Sequence, residues 1–167
     1  MILQRLFGRK PNPNAAVYDA IVAMARQPHF FENLGVPDTL DGRFDLLVLN
    51  MFLVLNRLKA EPEATRRSLI DYFFDDMDRT LREMGVGDLT VSKRVRKMAE
   101  AFYGRLTVYA KAVEQGEDAV VECLQRNIYA GEPNANARAL AHWVLASRAK
   151  LETQTPANIL QGKVEFA

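Results

Sequence analysis

The chain has 167 residues, of which 49% are apolar and 26% charged, and its formal net charge is +1. This describes one globular domain with a sizeable core and excludes a disordered or fibrous chain, while the single cysteine, Cys123, excludes an internal disulfide. A charge so near neutral gives no global field to draw a polyanion, so any electrostatic partner is met by a local patch.

The first ten residues, MILQRLFGRK, place Ile2, Leu3, Leu6 and Phe7 on one side of two helical turns and Arg5, Arg9 and Lys10 on the other. Such a segment suits the surface of an anionic membrane, although so short a helix anchors weakly; a frayed end or packing on the domain is the alternative. Its apolar part is too short for a signal-peptide core. Residues 1–13 are therefore read as a short basic and apolar tail, and 14–167 as a single helical domain.

Asn14 is expected to cap a helix through about Gln27, with Val17, Ile21, Met24 and Ala25 as its apolar stripe. Pro28 stops that helix before a turn containing His29, Phe30 and Phe31. After the turn-rich stretch GVPDTLDG comes a helix from about Gly42 to Lys59. It is apolar on most of its circumference, from Leu46 through Leu58, which places it at the centre of a bundle. Asp45, Asn50 and Asn56 interrupt the run, which falls short of the roughly 20 residues needed to cross a bilayer.

Pro62 opens a helix through about Met84, with Ile70, Phe73, Phe74, Met77, Leu81 and Met84 on its core face. Asp75–Arg79 and Asp78–Arg82 stand at ion-pair spacing on it. Gly85-Val86-Gly87 ends this helix. Ser92 is expected to cap the next, which runs to about Gln115 and buries Val91, Val95, Met98, Phe102, Leu106 and Tyr109. Further helices cover about Glu117 to Tyr129, then Asn134 to about Thr153, before a last turn from Pro156. The reading is all-α: a single-domain bundle of about six or seven helices around a very apolar central one.

No residue pattern names a reaction. Asp75, Asp76 and Asp78 invite comparison with a magnesium–diphosphate site, but one helix cannot turn all three to one ion and no second aspartate cluster faces them. His29 and His142 lack zinc-ligand neighbours, a core or surface role being the plainer reading against single-histidine haem ligation. The glycines form no phosphate-binding loop. Cys123 sits in an apolar run as a small buried hydrophobe. No catalytic residue, metal or cofactor is assigned.

Two surfaces remain. Lys93, Arg94, Arg96, Lys97 and Arg105 crowd one helix that carries only Glu100 as an acid through Arg105. They suit a phosphate backbone or anionic lipid, or ion pairs with the preceding aspartates. Tyr72, Phe73, Phe74, Phe102 and Tyr103 are candidates to line an apolar groove. Three functions compete: a protein that holds another macromolecule, a helical isoprenoid- or quinone-binding protein or enzyme using the aspartates, and a nucleic-acid-binding module.

Two blocks, GVPDTLDGRFDLLVLNMFLVLNRL and DYFFDDMDRTLREMGVGDLTVSKRVRKMAEAFYGR, resemble the ubiquinol–cytochrome c chaperone family, particularly its bacterial members. With YDAIVAMARQPHFF the likeness covers roughly two thirds of the chain. The resemblance implies an all-helical, non-enzymatic assembly factor for cytochrome b of the respiratory ubiquinol–cytochrome c reductase. Mitochondrial relatives hold newly made cytochrome b near the ribosomal exit tunnel together with a small partner protein. The implied partners here are cytochrome b, ribosomal RNA or an anionic membrane surface, and a small partner protein, with no DNA. Without a mitochondrial-type leader, the expected location is the bacterial cytoplasm, peripheral at the inner membrane.

Overall fold

The computed structural model describes residues 12–167. The tail residues Ile2, Leu3, Arg5, Leu6, Phe7 and Arg9 lie outside the described residues. Helices follow one another as α1 (Ala15–Ala25), α2 (Pro28–Glu32), α3 (Leu40–Arg57), α4 (Glu63–Glu83), α5 (Asp88–Gln115), α6 (Glu117–Asn127), α7 (Ala137–Glu152) and α8 (Pro156–Leu160), with a 3₁₀ turn at Leu58–Ala60. No strand occurs among the described residues. α2 and α8 are single turns of five residues each, so six long helices carry the bundle.

The apolar circumference predicted for α3 is what makes it central. Leu46, Val48, Leu49, Met51, Phe52, Leu53 and Val54 are all buried, and α1, α5 and α7 pack around them. α3 begins two residues earlier than expected, because the Thr39 hydroxyl accepts the Gly42 N–H at 3.1 Å. Asn50 sits fully buried among these side chains. It returns its amide N–H to the Leu46 carbonyl at 2.9 Å, which leaves its own oxygen unpaired.

α4 and α5 form a long antiparallel hairpin. Its turn is a Schellman motif: the Val86 N–H reaches the Leu81 carbonyl at 3.1 Å and the Gly85 N–H reaches that of Arg82 at 2.9 Å. Gly85 supplies the positive φ of 80° that this stop requires. The two helices lock through aromatic rings, Phe73 stacking on Phe102 at 5.0 Å and Phe74 meeting Phe102 edge-on at 5.3 Å.

Three expected caps are corrected. Asn14 has helical dihedrals and makes no cap bond; its Nδ2 donates to Ser68 Oγ at 2.6 Å and fastens α1 to α4. Ser92 lies inside α5, which opens at Asp88 after extended Gly87, and its hydroxyl donates back to the Asp88 carbonyl at 3.4 Å. Asn134 closes a local turn by accepting the Asn136 N–H at 2.8 Å, and α7 starts only at Ala137. A polar side chain caps where its backbone is extended, and tertiary packing decides where that is. Pro28 likewise does more than stop α1, since it opens α2 at a first helical position.

Candidate functional site

A groove of about 1370 Å³ lies between the α1–α3 corner, the α4–α5 hairpin and the end of α6. Its apolar lining comes from Phe31, Phe44, Leu47, Met77, Leu81 and Met98. Leu40 and Met84 border it and are each 58% exposed, which makes it a furrow open to solvent. Met84 was expected on the core face of α4. It instead caps the helix at the end of the hairpin, where it is left more than half exposed at the border of the groove.

One wall depends on a tight chain crossing. A Cβ at Gly42 would lie 2.0 Å from the Pro37 carbonyl oxygen, so only glycine lets the loop fold back over the first turn of α3. That explains the glycine of the GRFDLL block. The same loop is tied from the other side by Tyr129, whose hydroxyl donates to the Leu34 carbonyl at 2.6 Å.

The charges around the furrow divide into satisfied and free. Arg43 pairs with Asp38 at 2.6 Å, and Arg105 pairs with Asp45 at 2.7 Å while lying 5.7 Å from the centre of the Phe44 ring. Burial pushes the Asp45 carboxyl up to about 6 against the pull of Arg105, and Asp41 adds to the rise. Asp76 accepts from the Tyr18 hydroxyl at 2.9 Å and pairs with Arg79; burial keeps that phenol protonated well above its ordinary range. Arg26, Arg94 and Lys97 also border the groove, and none of them has a carboxylate partner among the described residues.

Of the basic residues singled out in the sequence, Arg94, Lys97 and Arg105 therefore reach the groove, while Lys93 and Arg96 sit exposed on the outer side of α5. Arg105 serves an internal ion pair. The other four form none among the described residues; of the aspartates of α4, Asp76 and Asp78 are taken by Arg79 and Arg82 on α4 itself, while Asp71 and Asp75 are exposed.

The aromatic group has a different place. Phe73 and Phe102 are fully buried, Phe74 and Tyr72 are half-buried, and Tyr103 is 53% exposed. None of the five borders the furrow, whose rings are Tyr18, Phe31 and Phe44. Sequence reasoning missed Phe44 and Asp45 as site residues although they lie in the GRFDLL block. It also placed Met77 and Met98 on buried faces without marking them as a lining.

Asp75, Asp76 and Asp78 do not converge: Asp76 turns to Tyr18 and Arg79, Asp78 pairs with Arg82 at 2.6 Å, and Asp75 is exposed. No group of three or more His, Cys, Asp or Glu side chains is arranged to hold a metal among the described residues. His29 is exposed and bonded to Asn33, and His142 is exposed beside Glu117. Cys123 is buried, and burial pushes its thiol above the ordinary range. No helix among the described residues is long and apolar enough to cross a membrane.

The profile of the ubiquinol-cytochrome C chaperone family matches residues 32–166, which hold the furrow's α3 wall, the whole hairpin and the rest of the bundle. The chain belongs to this family. A solved structure, the crystal structure of the Cbp3 homolog from Brucella abortus, is similar over 100% of this chain and 97% of its own, with 38% identity and a TM-score of 0.80. Ubiquinol-cytochrome-c reductase complex assembly factor 1 of Xenopus laevis is 26% identical over 115 residues, 67% of this chain and 58% of that protein. The protein of the same name in Homo sapiens is 22% identical over 116 residues, 68% of this chain and 39% of its own length. The family member described here thus matches little more than half of the frog protein and less than half of the human one.

Proposed function

We propose that this protein is a non-enzymatic assembly chaperone for the ubiquinol–cytochrome c reductase, and that its client is the newly made cytochrome b subunit. The carrying observation is the furrow itself: an apolar floor open to solvent, with Arg26, Arg94 and Lys97 unpaired at its edge, in a member of the chaperone family. Its volume of about 1370 Å³ matches roughly three turns of a helix 10 Å across. Helix-in-groove capture shelters an apolar client segment without any bond-making step. The protein works peripherally at the inner membrane, where a polytopic client is inserted. A small partner protein and the ribosome belong to the same reading through the family resemblance.

The lipid-enzyme alternative needs carboxylates that meet at the end of a closed pocket. Here they diverge: Asp76 turns to Tyr18 at the wall of an open furrow, while Asp75 and Asp78 lie toward solvent.

The test is complementation. In a host lacking the gene, the wild-type chain is expected to restore assembled cytochrome b. Leu40→Asp or Arg26→Glu, both at exposed groove positions, is expected to restore less than a third of it at equal protein level. Full complementation by both variants would remove the furrow from the mechanism. Normal cytochrome b in the deletion host would remove the client.

A further inference from the structure

The tip of the α4–α5 hairpin carries an exposed apolar wedge that the bundle does not use. Leu89 is 92% exposed and Met84 is 58% exposed, on either side of the Gly85 turn. Behind the wedge stand Lys93, Arg94, Arg96 and Lys97, all exposed and without ion-pair partners among the described residues. Leu89, Lys93 and Arg96 share one face of α5 by their spacing of four and seven residues.

The acids of the tip itself are already engaged, and exposed Glu100 lies one turn beyond Lys97 on α5. Asp78 and Asp88 pair with Arg82, and Glu83 lies 3.9 Å from Arg79. From Asp76 to Lys97 the hairpin holds six cationic against four acidic side chains, and all four unengaged cations follow the tip on α5.

We infer that this tip docks the protein on an anionic lipid bilayer, with Leu89 and Met84 entering the interface and Lys93, Arg94, Arg96 and Lys97 meeting the lipid phosphates. With α5 near the membrane normal, Lys93 stands about 6 Å and Arg96 about 10 Å behind Leu89 along the helix axis. The polar zone of a leaflet is about 5–8 Å thick, so long cationic side chains reach phosphates while Leu89 reaches the acyl boundary. A wedge with a cationic collar suits a layered partner that is anionic outside and apolar beneath. A nucleic-acid backbone has no use for Leu89 or Met84. Met84, Arg94 and Lys97 also border the furrow, so docking would bring the mouth of the groove against the bilayer. Leu89, Lys93 and Arg96 do not border the groove, and the inference stands on them whatever occupies it.

Flotation of the full chain with phosphatidylcholine vesicles, with and without one third phosphatidylglycerol, tests it. Binding is expected with anionic vesicles only, falling at least tenfold between 50 and 500 mM salt. Leu89→Ser is expected to weaken it about tenfold, and Lys93→Ser with Arg96→Ser by about twenty-five-fold, taking roughly a fivefold loss per cation. A tryptophan placed by Leu89→Trp is expected to shift its emission to the blue on anionic vesicles. The native Trp143, which donates to the Ala167 carbonyl, serves as the unshifted control. Absence of flotation with anionic vesicles overturns the inference. So does flotation that Leu89→Ser leaves unchanged, or selective binding of RNA over vesicles through the same cations. Cytochrome b restored by Leu89→Ser but not by Leu40→Asp would separate failure of docking from failure of the groove.

Discussion

α5 is one continuous helix of 28 residues with two different lives. Its second half, from Phe102 to Val113, buries Phe102, Tyr109, Ala112 and Val113 against α3 and α6. Its first half, from Asp88 to Ala101, buries only Val91 completely and exposes Leu89 and four cations. Helix propensity and hydrogen bonding continue through both halves, so they do not distinguish core from surface. What differs is the presence of a facing element. Beyond the end of the bundle, α5 has only α4 beside it, and the faces that would be core elsewhere become available to a partner.

That contrast can be tested residue by residue along α5 and its contacts. The largest effect belongs to Phe102→Ala, which removes a fully buried ring between Phe73 and Phe74 and is expected to cost about 3–5 kcal/mol in urea unfolding. A loss under 1 kcal/mol would mean that the aromatic zipper does not tie the hairpin to the core. Next comes Gly42→Ala, whose new methyl must displace the Pro37 carbonyl; about 2–3 kcal/mol is expected, with loss of client rescue as the groove wall shifts.

Asp45 offers a pH test of the buried side. Its carboxyl titrates near 6 in the folded protein, against about 4 when unfolded, so the native state binds the proton more tightly. Stability from this group is therefore greatest below pH 4 and declines as pH rises from about 4 to 6, by about 2–3 kcal/mol in all. Relative to Asp45→Asn, the wild type should gain stability on going from pH 7 to pH 4. A constant difference across that range would contradict the raised value.

Tyr109→Phe is expected to stabilise by about 1 kcal/mol, because its hydroxyl is buried without a hydrogen-bond partner. Leu89→Ala should lie within about 0.5 kcal/mol of wild type, as an exposed position predicts. A loss approaching that of Phe102→Ala would erase the distinction between the two halves.

Much of this was legible in the chain. The all-round apolar run through Leu46–Val54 identified α3 as central, and the alternation of core residues along α4 and α5 placed Phe73 and Phe102 inward. Gly85 marked the hairpin stop, since only a residue free to take positive φ closes such a motif cheaply. The caps at Asn14, Ser92 and Asn134 were misplaced because several polar residues near each helix start qualify locally. The groove was hidden for another reason: Met77 and Met98 have core-like spacing, and a one-dimensional pattern cannot tell a face covered by a neighbour from one left open.

The sequence by itself determined the helical class, the central helix, the charge segregation on α5 and the family to which the chain belongs. The first three follow from periodicity, backbone freedom and residue order, all of which are local, and the family from the likeness of two blocks of residues to it. Only the tertiary structure decided that Asp45 is neutralised within the wall by Arg105, that the rings of Phe31 and Phe44 rather than Phe73 and Phe102 face the furrow, and that Leu89 has no cover. Such facts depend on which elements end beside which others, and burial is a property of neighbours rather than of the residue.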